Sequence, residues 1–568
     1  MHLRWSGRPQ SVTHNGTAGV HFARSDQDIV TTAVVTQNCA AAPPTVNKWL
    51  VTVSVTFGTL MGTIDSSIVN VAVPHIRGSV GADITEITWI STGFIIATVL
   101  VMPLTAFFGR LFGQKNFYMF SLALFIAGSA LCGLARTLPQ LIAFRVIQGL
   151  GAGALQPTEQ AILRQTFPPE EQGTAMALFG MAVMIGPAVG PTLGGYIVDH
   201  YAWPWIFYIN LPVGLLGLFM VSHFVREPED IRAANREMAA KQRGHLDWPG
   251  IALLAVGLGS LQYLLEEGQT DDWFQSSTIV TCTLMAFFCI AAFVIRELHA
   301  KVPVVNLRLF TDRVFLTGTL IGAVMFAMLM ANMFLLPLFM QELLGFTAMQ
   351  SGIALLPRVI VMMLATPIVG KLYNRVSPRI FVGIGVLFFT EGAYQMSKFN
   401  LQTTSTGAIA AIAIQGVGFS CLFVPLTTVA LTTIKRHQMT EATGLNSLLR
   451  QVGGSMGLAV FVTLLARYND VARASVSFHV SPVRSEVIDR LALLSSGFKA
   501  KGFDPHYAKQ AALSALDFSI RTQASVLAYD KVFLLAGILF LLVLPLLLFL
   551  RVDRNLSVAP AHTEPMES

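Results

Sequence analysis

Long apolar runs separated by short polar loops recur along the whole chain. Fourteen windows have about 20 predominantly apolar residues, the length that one helix needs to cross a bilayer. They lie near residues 49–73, 89–108, 117–135, 138–160, 173–198, 203–224, 248–266, 275–295, 314–341, 349–369, 380–397, 405–430, 444–466 and 532–550. This pattern predicts an all-α integral membrane protein with fourteen transmembrane helices.

The amino-acid composition agrees with this prediction and argues against several other classes of protein. Only 12% of the 568 residues are charged, whereas soluble domains have about 25% charged residues. The five cysteines are scattered without CxxC spacing, so we expect neither a disulfide framework nor a metal site. The sequence has no GxxxxGK[ST], HExxH or GxSxG motif, which argues against ATP-driven transport and against an enzyme.

The charge of the short loops predicts the orientation of the chain. Of the Lys and Arg residues in short loops, most lie on one side of the membrane, whereas the short loops on the other side hold only Arg77, Arg136 and Lys398. Cytoplasmic loops are the ones enriched in these residues, so we expect both termini in the cytoplasm. The net charge of +6 then reflects membrane topology and does not indicate a nucleic-acid partner.

Two internal matches predict a duplication. The segment Gln-Gly-Leu-Gly at 148–151 recurs as Gln-Gly-Val-Gly at 415–418, and residues 106–115 align with 370–379. Parallel repeats of this kind are typical of transporters. The predicted organisation is a disordered cytoplasmic tail (1–47), a first six-helix half (48–225), two inserted helices with cytoplasmic loops (226–313), a second six-helix half (314–551) and a cytoplasmic tail (552–568).

The outer loop 467–531 of the second half is unusually long. It contains helix-like pieces near 484–497 and 506–529. Long loops are usually either functional or disordered. Two interpretations stay open, a solvated insertion and a docking site for a partner on the outer side.

The uncharged run 173–198 has glycines and prolines at regular intervals. Its residues of this kind between 186 and 195 are Gly186, Pro187, Gly190, Pro191, Gly194 and Gly195. Glycines four residues apart share one helix face and allow a neighbouring backbone to approach closely. Prolines bend a helix and are tolerated where neighbours bond the freed carbonyls. The run predicts a moving part or a tight seam between the two halves of a transporter.

Two charged residues within the predicted spans are the main candidates for proton coupling. Asp65 lies in the first span, where desolvation favours the protonated carboxyl that a proton carrier needs. Arg145 lies in the fourth span, where its permanent charge should face the bundle and an acidic or carbonyl partner. The alternative for both is a purely structural role in a hydrogen bond or an ion pair.

Other ionisable residues in the spans have weaker functional signals. Glu159 could face a cavity or lie at the inner interface, and Glu391 is a candidate for cation binding or a second proton site. For Arg358 and Arg450 the favoured interpretation is structural, with long side chains that snorkel toward the membrane interface.

Taken together, these residues resemble the Major Facilitator Superfamily, and within it the fourteen-span drug/proton antiporters of the EmrB/QacA branch. The resemblance covers about residues 48–551. The segment around Asp65 resembles the family's first-span motif, whose acid is implicated in proton coupling. Residues 145–153 resemble the fourth-span motif, whose arginine is thought to serve proton transfer. Residues 186–195 resemble the fifth-span motif associated with antiporters.

The loop after the second span departs from the family pattern Gly-x-Leu-Ala-Asp-Arg-x-Gly-Arg-Lys. Gly113 and Lys115 match this pattern, but Arg110 stands in place of its Asp. The charge relay that is often assigned to that Asp therefore cannot operate here as usually described.

The long outer loop and residues 521–530 resemble EmrB-type sequences. The resemblance implies a pump of the bacterial inner membrane that exports small amphipathic compounds in exchange for protons, with no cofactor. It also implies a periplasmic adaptor and an outer-membrane channel as partners. The alternatives are export of a specific physiological metabolite, or a non-transporting receptor or assembly protein.

Overall fold

The computed structural model describes residues 47–242, 247–300, 303–403, 405–481, 483–542 and 544–545. The predicted tails, apart from Asn47, lie outside these residues. The described part contains helices and no β-strand. Its fourteen long helices are α1 (Lys48–Val80), α2 (Trp89–Phe112), α3 (Gln114–Leu134), α4 (Leu138–Thr166, interrupted after Ala152), α5 (Gln172–His200), α6 (Trp205–Phe224, interrupted after Tyr208), α7 (Trp248–Glu267), α8 (Ser277–His299), α9 (Arg313–Glu342), α10 (Ala348–Leu372), α11 (Pro378–Met396), α12 (Ser405–Val429), α13 (Met439–His479) and α14 (Pro505–Leu541).

Each predicted span corresponds to one of these helices. Within the described part of the chain, twelve helices are long and apolar enough to cross a membrane. The other two, α1 and α11, have 33 and 19 residues and carry polar side chains within the span. The all-α membrane fold predicted from the apolar windows is confirmed.

Helix packing repeats between the first six and the last six long helices. The contacts of α1 with α5, of α2 with α4 and of α3 with α4 recur as contacts of α9 with α13, of α10 with α12 and of α11 with α12. Two further contacts, α2 with α13 and α5 with α10, join the two sets. These two contacts are related by the repeat, because α2 of the first set corresponds to α10 of the second, and α5 of the first set corresponds to α13 of the second.

The inserted helices lie at the side of the first set. Helix α7 packs on α2 and α8. Helix α8 presents most of its surface to the surroundings, and only 17% of its most apolar stretch is buried. An apolar surface this exposed fits a helix that faces lipid.

The segment expected as the outer loop 467–531 is largely helical. Helix α13 continues to His479, a helix covers Ser485–Ala500, and α14 already begins at Pro505. With 41 and 37 residues, α13 and α14 reach about 60 and 55 Å at 1.5 Å per residue, well beyond a hydrocarbon core of about 30 Å. The expected helical pieces are confirmed, the first as a separate helix and the second as the start of α14. The end of α13, the helix Ser485–Ala500 and the start of α14 form a projecting helical hairpin.

The glycine stripe of α5 faces α1. A Cβ atom on Gly186 would lie 2.6 Å from the backbone carbon of Thr63, and one on Gly190 would lie 1.9 Å from Ser67 Oγ. Ser67 Oγ also donates to the Gly186 carbonyl at 3.1 Å. The predicted tight seam exists, but it lies within the first set of helices. Glycine spacing defines a helix face without identifying its neighbour, so the prediction of a seam between the halves is wrong for these glycines.

A different part of α5 faces the second set. The carbonyl of Gly370 in α10 lies 2.6 Å from where a Cβ on Gly173 would stand, and Thr192 Oγ1 lies 3.0 Å from a Cβ built on Gly352. Helix α5 stays helical through Pro187 and Pro191. It is therefore packed between α1 and α10.

We expect Gly186→Ala to lower stability by about 1–3 kcal/mol, as overpacking does, because its methyl group would collide with α1. Gly195→Ala is the matched control, since the nearest atom to its Cβ is Met349 Cβ at 4.0 Å. The measurement is thermal unfolding of both purified variants in detergent. Equal melting temperatures for the two would contradict the close α1–α5 contact.

Candidate functional site

The Asp65 carboxylate lies at the centre of a buried polar cluster. Asp65 is fully buried in α1, and its Oδ2 lies 2.5 Å from Arg145 Nη1 in α4. Its Oδ1 accepts hydrogen bonds from Gln148 Nε2 and from Asn210 Nδ2 in α6, both at 2.9 Å. Three N–H donors therefore meet one carboxylate. They offset the cost of burying its charge.

The Arg145 guanidinium has hydrogen-bond and aromatic partners besides Asp65. Only 1% of its surface is exposed, and Nη1 also donates to Gln148 Oε1 at 2.8 Å, while Nε donates to the Ile90 carbonyl at 3.2 Å. Its Cζ lies 4.0 Å from the centre of the Phe94 ring, within the range of a cation–π contact. The guanidinium is thus oriented by α2 and by its own helix as well as by Asp65.

Glycines in α4 bring this arginine to the carboxylate. A Cβ on Gly149 would lie 2.5 Å from the Phe94 carbonyl oxygen in α2, and one on Gly151 would lie 2.5 Å from the Phe125 amide nitrogen in α3. Only glycine permits such a close backbone approach. The fourth-span motif therefore places α4 deep among α1, α2 and α3.

This arrangement surrounds the negative charge of Asp65 with partners. Protonation of Asp65 would remove the charge that attracts Arg145 and leave a neutral carboxyl among amide donors. The guanidinium would then lose its anionic partner, which is costly for a buried charge. Proton binding at this cluster therefore changes which side chains pair.

A second buried acid lies in the same set of helices. Glu159 is fully buried in α4, and Thr56 Oγ1 of α1 donates to its Oε1 at 2.9 Å. Its Oε2 has no hydrogen-bond partner among the described residues. The side chain is enclosed between α4 and α1, and its depth relative to the membrane interface stays a prediction.

The second set of helices repeats part of the cluster without its charge pair. Asn332 in α9 stands 267 residues after Asp65, the same offset that relates Gln415 to Gln148. Gln415 Nε2 donates to Asn332 Oδ1 at 3.3 Å, and Arg358 Nη2 of α10 donates to Gln415 Oε1 at 2.8 Å. The amide of Gln148 is kept as Gln415, while an asparagine replaces the carboxylate.

The expected snorkelling of two arginines is wrong. Arg358 and Arg450 are only 2% and 3% exposed. Each lies about ten residues inside a long helix, too far from either end for the side chain to reach the interface. Both guanidinium groups are therefore buried among helices.

Glu391 joins neither cluster. Its side chain is exposed near the end of α11 and accepts a hydrogen bond from Gln395 Nε2 at 2.9 Å. The carboxylate therefore points away from the bundle interior. The structure gives no support to the expected proton or cation site at this residue.

Polar contacts join the two sets of helices at one end of the bundle. We call it the basic end, the end where α2 stops and α3 begins. Arg110 of α2 forms an ion pair with Glu441 of α13, and Arg436 Nη2 donates to the Gln165 carbonyl at 2.8 Å. Arg110 stands in place of the family's Asp, and the acid that it pairs with comes from the other set of helices. The loop thus keeps an ion pair with the charges exchanged.

Lys115 of this loop motif contacts the last turn of α6. Lys115 Nζ donates to the Ser222 carbonyl at 2.7 Å. Gly113 has a φ of 87°, which strains other residue types and explains the glycine at this turn. The retained motif residues therefore shape the turn between α2 and α3.

Residues 55–458 match the Major Facilitator Superfamily. The chain belongs to this superfamily. It is 33% identical over 496 residues to the fatty acid resistance protein FarB of Neisseria gonorrhoeae, covering 87% of this chain and 94% of FarB. It is 31% identical over 501 residues to the multidrug export protein EmrB of Escherichia coli K12, covering 88% of this chain and 94% of EmrB.

Solved structures of the superfamily share the fold. The proton:xylose symporter XylE has a TM-score of 0.55 to this chain at 13% identity, with 88% of this chain and 96% of XylE covered. The predicted family is therefore confirmed. The chain is a multi-pass membrane transporter of small molecules and not an enzyme.

Two members of the Asp65 cluster, Asn210 and Gln148, are not predicted as site residues from the sequence. Asn210 interrupts the apolar run of α6, and Gln148 lies in the repeated Gln-Gly-x-Gly segment. A polar amide in an apolar helix was the available signal. Its partner could be found only once α1, α4 and α6 were placed together.

We expect Arg145→Met to destabilise the protein by about 3–5 kcal/mol, as removal of one partner of a buried pair does. Adding Asp65→Asn to Arg145→Met should recover part of that loss, because no buried charge is then left unpaired. The measurement is thermal unfolding of the purified variants. The half-exposed pair Lys48–Glu171 is the control, where the corresponding changes should stay within about 1 kcal/mol. Additive effects at Asp65 and Arg145 would contradict their coupling.

Proposed function

We propose that this chain is a proton-coupled efflux transporter that exports small amphipathic toxic compounds by alternating access. The observation that carries the proposal is the fully buried Asp65–Arg145 pair, at 2.5 Å, in a bundle that is otherwise largely apolar. Buried ionisable pairs of this kind mark proton relays in membrane proteins. The names of FarB and EmrB, which refer to resistance and export, support the direction of transport. The proton gradient is the energy source, and no cofactor takes part.

The proposed coupling uses the helices that hold the pair. A proton on Asp65 weakens its bond to Arg145, so α1 and α4 lose their charged link. Helix α5 is locked to α1 by its glycine stripe and packs on α10 of the other set. A change at Asp65 therefore biases how the two sets meet. Substrate and proton then favour different states of the transporter.

The two sets act in this proposal as the rocking halves 48–225 and 314–551, with 226–313 inserted between them. The basic end faces the cytoplasm of a bacterial cell, in accord with its Lys and Arg residues, and both termini lie there in the inner membrane. The Arg110–Glu441 pair then closes the cytoplasmic entrance. Breaking this pair opens the cavity to substrate from the cell interior.

We expect Asp65→Asn to abolish transport driven by a pH gradient, because the side chain can no longer bind and release a proton. The measurement is dye efflux by purified protein in proteoliposomes, at matched protein content and with and without a protonophore. Glu391→Gln is the matched control, since it removes an exposed carboxylate and should leave transport unchanged.

Normal gradient-driven efflux by Asp65→Asn would refute the assignment of Asp65. Absence of gradient-dependent flux in the unmodified protein, for every dye and candidate metabolite tried, would favour the receptor or assembly role instead. Flux of one metabolite and of no dye would favour a dedicated metabolite exporter.

The projecting hairpin is the proposed docking site for a periplasmic adaptor, which would connect the transporter to an outer-membrane channel. Helix α13 begins at the basic end, so the hairpin extends from the opposite end. It exposes large apolar side chains, with Phe478 83%, Val483 86% and Phe518 70% exposed. Exposed apolar side chains grouped on one projection are typical of protein interaction surfaces.

Deletion of the helix Ser485–Ala500 should abolish drug resistance in cells and leave transport in proteoliposomes near its normal rate. The physical reason is that the deleted helix lies outside the membrane helices and away from the Asp65 cluster. The paired assays are growth in the presence of drug and dye efflux by the purified variant. Full resistance in cells that carry the deletion would argue against an adaptor at this hairpin.

A further inference from the structure

The guanidinium of Arg450 in α13 has more donors than acceptors around it. Its Nη2 donates to Ser447 Oγ at 3.2 Å. Its Nε and Nη1, and also Nδ2 of Asn446, have no acceptor among the described residues. Asn446 lies four residues earlier on the same helix face. Two buried side chains therefore present three unsatisfied N–H donor groups to one region.

Three phenylalanine rings surround this guanidinium. Their centres lie 5.5 Å from the Arg450 Cζ for Phe179, 5.7 Å for Phe326 and 5.8 Å for Phe423. The faces of such rings attract a cation. They do not provide the strong acceptors that guanidinium N–H groups need. The rings therefore hold the charge without satisfying its hydrogen bonds.

No buried carboxylate balances this charge in its own set of helices. Among the described residues of α9 to α14, the buried charged side chains are Arg358 and Arg450, both cations. The acid of the first cluster has Asn332 as its counterpart here. A buried cation without a counterion is costly, so an anion that reaches this region gains both charge and hydrogen-bond partners.

Arg450 lies where a transported molecule would bind. Phe179 belongs to α5 of the first set, whereas Phe326 and Phe423 belong to α9 and α12 of the second. Arg450 stands 11 residues after Met439 at the start of α13, about 16 Å along the helix axis from the basic end. Transporters of this type bind substrate near the midplane between their halves.

We propose that Arg450 and Asn446, with the three phenylalanine rings, form a binding site for amphipathic organic anions. The carboxylate or sulfonate group of the ligand accepts hydrogen bonds from the Arg450 guanidinium and from Asn446. The alkyl or aromatic body of the ligand packs against the rings. The inference rests on the proposed export function and adds the charge of its substrates. Amphipathic cations are disfavoured at this site by repulsion from the guanidinium.

The test compares two probes that differ in the sign of their charge. Dodecanoate and dodecyltrimethylammonium share a twelve-carbon chain. Their binding to the purified full-length protein in lipid nanodiscs is measured by equilibrium dialysis with labelled probe, against empty nanodiscs. The variants are Arg450→Gln and Arg450→Lys. Arg358→Gln is the matched control, because it removes the other buried cation of the same set, which also has unpartnered donors but donates to Gln415 and lies outside the three phenylalanine rings.

We expect Arg450→Gln to weaken dodecanoate binding at least tenfold and to leave dodecyltrimethylammonium binding unchanged or stronger. Arg450→Lys should retain part of the dodecanoate affinity, and Arg358→Gln should change it less than twofold. Equal loss for both probes, or no loss for dodecanoate, would overturn the proposal. Thermal unfolding verifies that the variants are folded, and Arg450→Lys keeps the test valid if Arg450→Gln does not fold.

The binding experiment needs no proton gradient, so it is separate from the test of proton coupling. If Asp65→Asn transports normally while Arg450→Gln loses dodecanoate binding, the anion site stands and proton coupling at Asp65 fails. If Asp65→Asn blocks transport while Arg450→Gln binds dodecanoate normally, the anion site fails and the coupling stands.

Discussion

A charge inside a bilayer must have a partner, and this constraint explains the placement of the polar residues in this protein. Asp65 meets it with three N–H donors from α4 and α6, and Arg145 meets it with the same carboxylate, a carbonyl and an aromatic face. The close packing of α4 encloses this cluster, whereas the glycine stripe of α5 packs on the side of α1 that carries Thr63 and Ser67.

The two sets of helices solve the same constraint differently. The duplication retained the amide of Gln148 as Gln415 but replaced the position of Asp65 with Asn332. The first set thus carries a paired acid and base, and the second carries two cations whose donors are only partly used. Under the two proposals, a proton would bind in the first set and an anion in the second.

The sequence predicted the features that depend on composition along the chain. Helix positions and the superfamily followed from the apolar runs and their motifs, and the pairing of Arg145 with an acidic partner followed from its charge within such a run. What depended on neighbours could not be predicted. Glycine spacing did not reveal that Gly186 faces α1, and the position of Arg450 in a long apolar span did not reveal which helices enclose it. Asn210 had no recognisable role until a carboxylate was placed beside it.

The position of α5 between α1 and α10 has a consequence for how such proteins can diversify. Because α5 packs closely on α1, the Asp65–Arg145 pair and the helix that contacts the second set belong to one unit. The rings and the guanidinium of the proposed anion site lie mostly on the other set. Under these proposals, substitutions there would change which compound is transported without disturbing the residues that couple transport to protons, so a lineage of exporters could acquire new substrates.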